Sequence, residues 1–308
     1  MEGYVLCRPQ GGINDMLSQV YLCLRYCEVM NRKLIIDTNY HSSHSFRQPF
    51  GDYFLSNDPK VFLPRNHASD IIKDKEEDVF PRFLSGKINT YLTRTYRPYE
   101  PIVEAISGEP ITFSFQKRYK EKVLIHHQGG RNFYSYKALE KFNLKGDISQ
   151  YILDSRAKLD RQYLGLHIRF TDYRSNYRVA VEEAMKLKQK QIYLATDNKE
   201  LKAHLLRVKS SKEFVSMSES FGSAGSPGHL SRSYKTDLRL NNMSTLVDLF
   251  MLALSCKIIS APITRWETNY FKRRYTHKFQ SGYAFLAEKL RTHPGLLSRV
   301  LDVSSSDL

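Results

Sequence analysis

His167, Arg169 and Asp172 have side chains of the types that bind and stabilise anions, and they fall together in Tyr163-Leu-Gly-Leu-His-Ile-Arg-Phe-Thr-Asp172. A guanidinium offers two parallel N–H donors to a phosphate or carboxylate, so Arg169 suits an anionic ligand. Leu164, Leu166 and Ile168 alternate as strand residues do, and Gly165 lets a neighbouring element approach closely. The strand then runs out into Thr-Asp-Tyr-Arg-Ser-Asn, which puts Arg169 and Asp172 at its carboxyl end. In open α/β sheets, ligands bind at that end. The same residues also suit a purely structural arrangement, an Arg–Asp pair tying a loop beside a core histidine.

A second candidate lies near the amino terminus. Gly3–Cys7 reads as a strand and is followed by Arg8-Pro-Gln-Gly-Gly-Ile-Asn-Asp15. Apolar residues recur at helical spacing from Met16 to Met30, with Asn14 or Asp15 available as the cap, and Leu34–Asp37 reads as a second strand. Strand, glycine turn, helix, strand is a βαβ unit. The Gly11-Gly12 turn brings backbone N–H groups to a helix start, which is an anion cradle. It is neither the dinucleotide fingerprint nor a P-loop, and a tight turn alone also accounts for it.

These segments need a scaffold to hold them. From His41 to about Pro110 the pattern is broken and implies loops and irregular helices, with Asp74-Lys-Glu-Glu-Asp78 as a solvated run. Ile111–Phe115 and Val123–His127 read as strands, the second ending in Gln128-Gly-Gly-Arg131. Helices are expected over Tyr136–Phe142 and Ile148–Leu159. Beyond the central motif, helices over Ala180–Lys188 and Lys199–Val208 alternate with strands over Gln191–Thr196 and Glu213–Met217. Ser218–Asn241 has no period and reads as a mobile loop over a site. A helix over Met243–Ser255, a strand over Lys257–Ser260 and the turn Ala261-Pro-Ile-Thr264 follow. Thr264 can cap a helix over Trp266–Arg274, and Tyr283–Val303 reads as a helix with a basic face. The alternation in both halves predicts an α/β protein of two Rossmann-like domains, 1–155 and 156–308, facing across a cleft.

Composition narrows the partners. The chain has 308 residues, 41% of them hydrophobic, which is enough for two folded cores. A net charge of +15, from 47 basic and 32 acidic residues, favours nucleotides, phosphorylated lipids, nucleic acid or an anionic membrane face. The basic residues are scattered and no RRM, KH or helix-turn-helix pattern appears, so nucleic acid is not the expected partner. No apolar run reaches the length of a membrane span, and the amino terminus lacks a signal pattern. Cys7, Cys23, Cys27 and Cys256 lie in or beside apolar segments and are expected to be buried free thiols, which fits a reducing cytoplasm.

No His/Cys/Asp cluster has metal-ligand spacing, and there is neither a Gly-x-Ser-x-Gly elbow nor an Asp-x-Asp pair that would hold a divalent ion on a pyrophosphate. No metal or cofactor is therefore expected. A departing diphosphate would have to be stabilised by protein cations and helix termini.

His167-Ile-Arg-Phe-Thr-Asp172 resembles the His-x-Arg-Arg-x-Asp motif of GT-B glycosyltransferases of the fucosyltransferase superfamily, which includes α1,2-, α1,6- and protein O-fucosyltransferases. Gly11-Gly-Ile-Asn14, leading to Arg32-Lys-Leu-Ile-Ile-Asp37, is similar to their amino-terminal signature. Ile192–Asp197 resembles their strand ending in Thr-Asp, and Leu246–Thr264 their last motif. The resemblance implies an inverting, metal-independent transferase with a GDP-fucose donor bound by the carboxyl-terminal domain. It implies that Arg169 neutralises the β-phosphate, that His167 lies beside the nucleoside and that Asp248 accepts from guanine N1 and N2. By the same resemblance, Thr264 and neighbouring backbone hold phosphate oxygens, Gly12 and Asn14 close over phosphate and sugar from the amino-terminal domain, and Gly11 and Asp197 also belong to the donor site.

The chain departs from the motif at Phe170, where the family has a second arginine, so Arg174 or Arg265 would have to supply that contact. No Glu or Asp follows Asp172 before Glu182, which leaves Asp15 and Asp172 as the candidate general bases. The expected acceptor is a glycan or lipid-linked glycan precursor of the cell surface. It would be met in the cytoplasm with peripheral contact at the anionic inner membrane face through Lys272-Arg-Arg274 and the carboxyl-terminal helix. Transfer of another nucleotide sugar, and nucleotide or nucleic-acid binding without turnover, are the alternatives.

Overall fold

The computed structural model describes residues 3–40, 47–66, 68–72, 78–94, 101–130, 133–171, 174–220, 238–264 and 281–304. The chain divides into two compact units, Met1–Lys145 and Gly146–Leu308.

In the first unit, β1 (Tyr4–Cys7), α1 (Ile13–Met30) and β2 (Lys33–Ile36) form the βαβ unit read from the sequence. The broken stretch holds β3 (Phe54–Ser56), β4 (Val61–Phe62), α2 (Ser69–Ile72), β5 (Val79–Phe80), β6 (Thr93–Arg94) and β7 (Val103–Glu104). Then come β8 (Val123–His126), α3 (Ser135–Ala138) and β9 (Phe142–Leu144). Five strands make one parallel sheet in the order β4-β2-β1-β8-β5. Every residue of β1 and β8 is buried, so these central strands are continuous apolar runs with no polar alternation. Ile111–Phe115 is not a strand: Ile111 and Phe113 are buried beside the sheet without joining a ladder. Phe142 belongs to a strand and not to the preceding helix, because its backbone pairs with β3 and its ring packs on Phe50 and Phe54.

The second unit begins with α4 (Gly146–Ala157). The division thus falls ten residues before the join expected at 155. The reason lies in what α4 touches: the Ser149 hydroxyl donates to the Leu301 carbonyl and the Tyr151 hydroxyl to that of Met217, both in this unit. After α4 come β10 (Leu164–Ile168), β11 (Arg174–Ser175), α5 (Tyr177–Lys186), β12 (Gln191–Thr196), α6 (Lys199–Arg207) and β13 (Glu213–Val215). They are followed by α7 (Leu238–Ala253), β14 (Lys257–Ser260), β15 (Ile263–Thr264), α8 (Gly282–Arg291) and α9 (Pro294–Leu301).

The sheet order is β13-β12-β10-β14, all parallel. One face packs Leu164, Leu166, Ile168, Ile192 and Leu194 against Leu201 and Leu205 of α6. On the other face α7 lies so close that a Cβ on Gly165 would stand 2.8 Å from Ser255 Oγ and 2.9 Å from Leu252 Cδ2. That is the close approach the glycine was expected to permit.

Three expectations are corrected here. The helix read over Met243–Ser255 starts earlier, at Leu238, inside the stretch taken for a loop, while 221–237 lie outside the described residues. The carboxyl-terminal helix is two helices, because Pro294 at the first position of α9 has no N–H to continue α8. Cys7, Cys23 and Cys27 are buried, but Cys256 is exposed in the turn between α7 and β14. The expected helix over Trp266–Arg274, including Lys272-Arg-Arg274, lies outside the described residues. No helix among the described residues is long and apolar enough to cross a membrane.

Candidate functional site

The parallel register of the second sheet puts the ends of β10, β12 and β14 at one edge. Residues 168–171 leave β10 there, and Asp197 at the end of β12 holds them. Its Oδ1 accepts from Phe170 N at 2.7 Å and its Oδ2 from Thr171 Oγ1 at 2.6 Å. Asn198 adds a second tie, with Nδ2 donating to Phe170 O at 3.0 Å while Oδ1 caps α6 through Leu201 N at 2.8 Å. The chain leaving β14 is stapled to the same loop where β15 pairs with β11, Thr264 opposite Arg174. The sequence-derived residues His167, Arg169, Asp197 and Thr264 are thus brought to one sheet edge. For Arg174 and Thr264 only the backbone is described, and Asp172 lies outside the described residues.

Arg169 is half-buried and sits close enough to His167 to act on its titration. The His167 ring is buried, stacked on Tyr283 at 5.3 Å, with Nδ1 3.5 Å from Ser260 Oγ. Burial, reinforced by the Arg169 guanidinium, pushes its pKa down to about 3. His167 is therefore neutral at pH 7 and adds no second positive charge beside Arg169. Phe170 packs edge-on against Tyr177 at 5.2 Å.

Asp248 comes from the middle of α7 and meets the sheet through Tyr193 of β12. Its Oδ1 accepts from Tyr193 Oη at 2.7 Å and from Ser218 Oγ at 2.6 Å. Lys202 of α6, also buried, donates from Nζ to Ser218 Oγ and Ser218 O, both at 2.8 Å. Burial raises the Asp248 pKa, against the pull of Lys202 and the two hydroxyls, and burial lowers that of Lys202. Among the described residues no hydrogen bond reaches Asp248 Oδ2.

In the first unit the two glycine turns at the ends of β1 and β8 lie side by side: Gln10 bridges Gly129, and Gln19 Nε2 donates to Gly130 O at 2.6 Å. Gly11 has φ +100°, and a Cβ there would stand 2.8 Å from Asp15 Oδ2, so only glycine fits. Neither Asn14 nor Asp15 caps α1. Gly12 is the N-cap, and both lie in the first helical turn. Asn14 is buried, its Oδ1 accepting from Ser135 Oγ at 2.7 Å and its Nδ2 without a partner among the described residues.

Two polar clusters went unrecognised in the sequence. One is Lys202 with Tyr193 and Ser218. A helical wheel gives a hint of it, because Lys202 shares a face with buried Leu205 three residues on. The other lies at the carboxyl edge of the first sheet. Arg8 Nε donates to Asp37 Oδ2 at 2.9 Å, and Tyr91 Oη joins Arg8 Nη1 at 3.0 Å and His127 Nδ1 at 2.8 Å. Tyr91 belongs to the unpatterned stretch, so no periodicity pointed to it.

Two parallel-sheet Rossmann-like units in one chain are the GT-B class of fold, as the sequence resemblance implied. Solved structures with that fold are similar over nearly the whole chain. NodZ α-1,6-fucosyltransferase co-crystallised with GDP superposes with a TM-score of 0.58 at 15% identity, covering 94% of this chain and 93% of that one. The fucosyltransferase NodZ from Bradyrhizobium gives 0.57 at 14% identity, covering 94% of each chain. The NodZ structure soaked with GDP-fucose gives 0.55 at 16%, covering 94% of this chain and 93% of that one. No protein-family model matches the sequence. No curated protein matches it by sequence either.

Proposed function

We propose that the chain is an inverting glycosyltransferase that takes a GDP-activated sugar, fucose, to a surface-glycan precursor without a divalent ion. The observation that carries this reading is the setting of Arg169: a half-buried guanidinium on a loop pinned by Asp197 at the carboxyl edge of the second sheet, beside a histidine that stays neutral. The fold shared with a fucosyltransferase crystallised with GDP and with GDP-fucose supports the donor. In that reaction the bond from sugar C1 to the β-phosphate oxygen breaks as the acceptor oxygen attacks, and negative charge grows on the diphosphate. A fixed cation stabilises the late charge more than the ground state and so accelerates the step. Neutral His167 keeps a competing positive charge out of the nucleoside region, while Asp197 and Asn198 hold the loop so that the guanidinium is in place beforehand. Asp248 reads the base, Thr264 borders the phosphates, and Asp172 or Asp15 takes the acceptor proton. The acceptor is a lipid-linked or free glycan met at the cytoplasmic membrane face.

The test is Arg169→Ala. We expect GDP to raise the melting temperature of both proteins in the presence of EDTA, with affinity changed less than about tenfold. Turnover of GDP-fucose, read as GDP release, should fall about 10²–10³-fold, the scale for losing one charge-stabilising donor. Equal turnover removes Arg169 from the mechanism. Phe170 favours a second reading, nucleotide binding without transfer. It holds if the parent protein binds GDP yet releases none from GDP-fucose with any acceptor.

A further inference from the structure

We infer that Lys202 is a positioning residue for the nucleobase site: acting through the Ser218 hydroxyl, it keeps Asp248 a carboxylate with Oδ2 reserved for the ligand. This rests on the guanine-nucleotide reading above and deepens it. A purely structural lysine–aspartate pair closes directly, because a buried charge pair is stabilised best by tight geometry. Here no direct ion pair forms. Nζ is committed to Ser218 Oγ and Ser218 O at 2.8 Å each, and the hydroxyl passes its own proton to Asp248 Oδ1 at 2.6 Å. Tyr193 takes the second site on the same oxygen at 2.7 Å. Oδ1 is thereby saturated, while Oδ2 keeps both its acceptor sites. A guanine edge presents N1–H and the 2-amino group as donors, which an ionised carboxylate accepts and a protonated one opposes. An adenine offers no donor at N1.

The ionisable groups facing Asp248 come from every side. Tyr193 projects from β12, Lys202 from α6 and Tyr283 from α8, with Glu219 acting on Lys202. Of the other packed elements, α4 carries Tyr151, which is exposed and donates to Met217 O, and β10 carries His167, stacked on Tyr283. Lys202 is the one cation acting on Asp248 among the described residues. Removing it leaves a buried acid whose desolvation is opposed by two hydroxyls alone, so its pKa rises further.

The experiment measures GDP, IDP and ADP affinity by calorimetry at pH 6.0 and 8.5 for the parent protein, Lys202→Met and Ser218→Ala. The parent should prefer GDP to ADP by about 100-fold at both pH values, a ratio in the range set by buried polar recognition. Lys202→Met should lose most of that preference at pH 6.0 and regain at least about tenfold of it at pH 8.5, as the carboxyl ionises. Ser218→Ala, which keeps both charges but breaks the link between them, should lose part of the preference at pH 6.0 and recover part of that loss at pH 8.5. A Lys202→Met protein whose GDP/ADP ratio stays at the parental value, or falls equally at both pH values, overturns the inference and leaves the guanine reading standing. A parent protein that does not distinguish GDP from ADP overturns both. If Lys202→Met does not fold, an unchanged ratio in Ser218→Ala overturns the inference by itself.

Discussion

Gly165 shows how a single missing side chain can fix a site. It lies in β10 two residues before His167, and the Ser255 hydroxyl that a Cβ would strike is already committed to Leu252 O at 2.7 Å and Lys257 O at 3.1 Å. The hydroxyl cannot yield without giving up those bonds, so Gly165→Ala must push α7 away from the sheet. Overpacking of this kind costs about 1–3 kcal/mol. Urea unfolding should show that loss, and if Asp248 on α7 contacts the base as proposed, guanine-nucleotide affinity falls alongside. Gly146→Ala is the control: a Cβ there meets nothing within 4 Å, and an alanine at the start of α4 should be neutral or stabilising by up to about 1 kcal/mol. Gly165 was legible in the sequence because glycine inside an apolar strand has few other reasons to be there. The engagement of Asp197 was not. The family resemblance singled it out, but the sequence says nothing of which oxygen meets which donor.

Among the elements, those with a clean period could be read and those without could not. β12 and β14 fall where alternation and burial put them, and α6 starts at Lys199 because Asn198 caps it. The stretch between β2 and β8 contributes two strands to the first sheet with only two residues each, too short for any period to appear. α7 is buried all round from Leu246 to Ala253 and mostly polar before it, so its start could not be placed by an amphipathic stripe, and its first turn reads as loop. The cap of α6 does a second task, since the same Asn198 side chain holds Phe170 O. Asn198→Ala should therefore cost more than the roughly 1 kcal/mol of an ordinary N-cap. Asn198→Ser, which restores a cap but cannot span to Phe170, should recover the helix part and not the loop part. Chemical denaturation of the two variants separates these terms, and equal stabilities would show that the Phe170 tie contributes nothing.

At the scale of the whole chain, a net charge of +15 overstates what is free to meet a partner. Arg32 clamps the carbonyls of Tyr119 and Glu121, Arg156 those of Asp160 and Arg161, and Lys212 those of Ala184 and Gln189. These cations close loops and helix ends from within. Buried neutral histidines set the pH response. His126 in the first unit bonds Thr112 and Gln19 through its two ring nitrogens, each at 2.7 Å, and burial holds its pKa at about 3. His167 in the second unit is held at about 3 in the same way. The unfolded chain binds a proton at each site near pH 6.5, and the folded chain does not until about pH 3. Each histidine's contribution is thus complete above pH 6.5 and is lost as pH falls through that window. The loss is about 2 kcal/mol apiece at pH 5. Asp248, whose pKa is raised, works in the opposite sense and offsets part of the loss in the second unit only. Urea unfolding at pH 7.5, 6.0 and 5.0 should therefore weaken both units, the first more steeply. His126→Gln should flatten the first unit's response and leave the second's unchanged. A first unit equally stable at pH 7.5 and 5.0 would mean that His126 takes up its proton without leaving the fold.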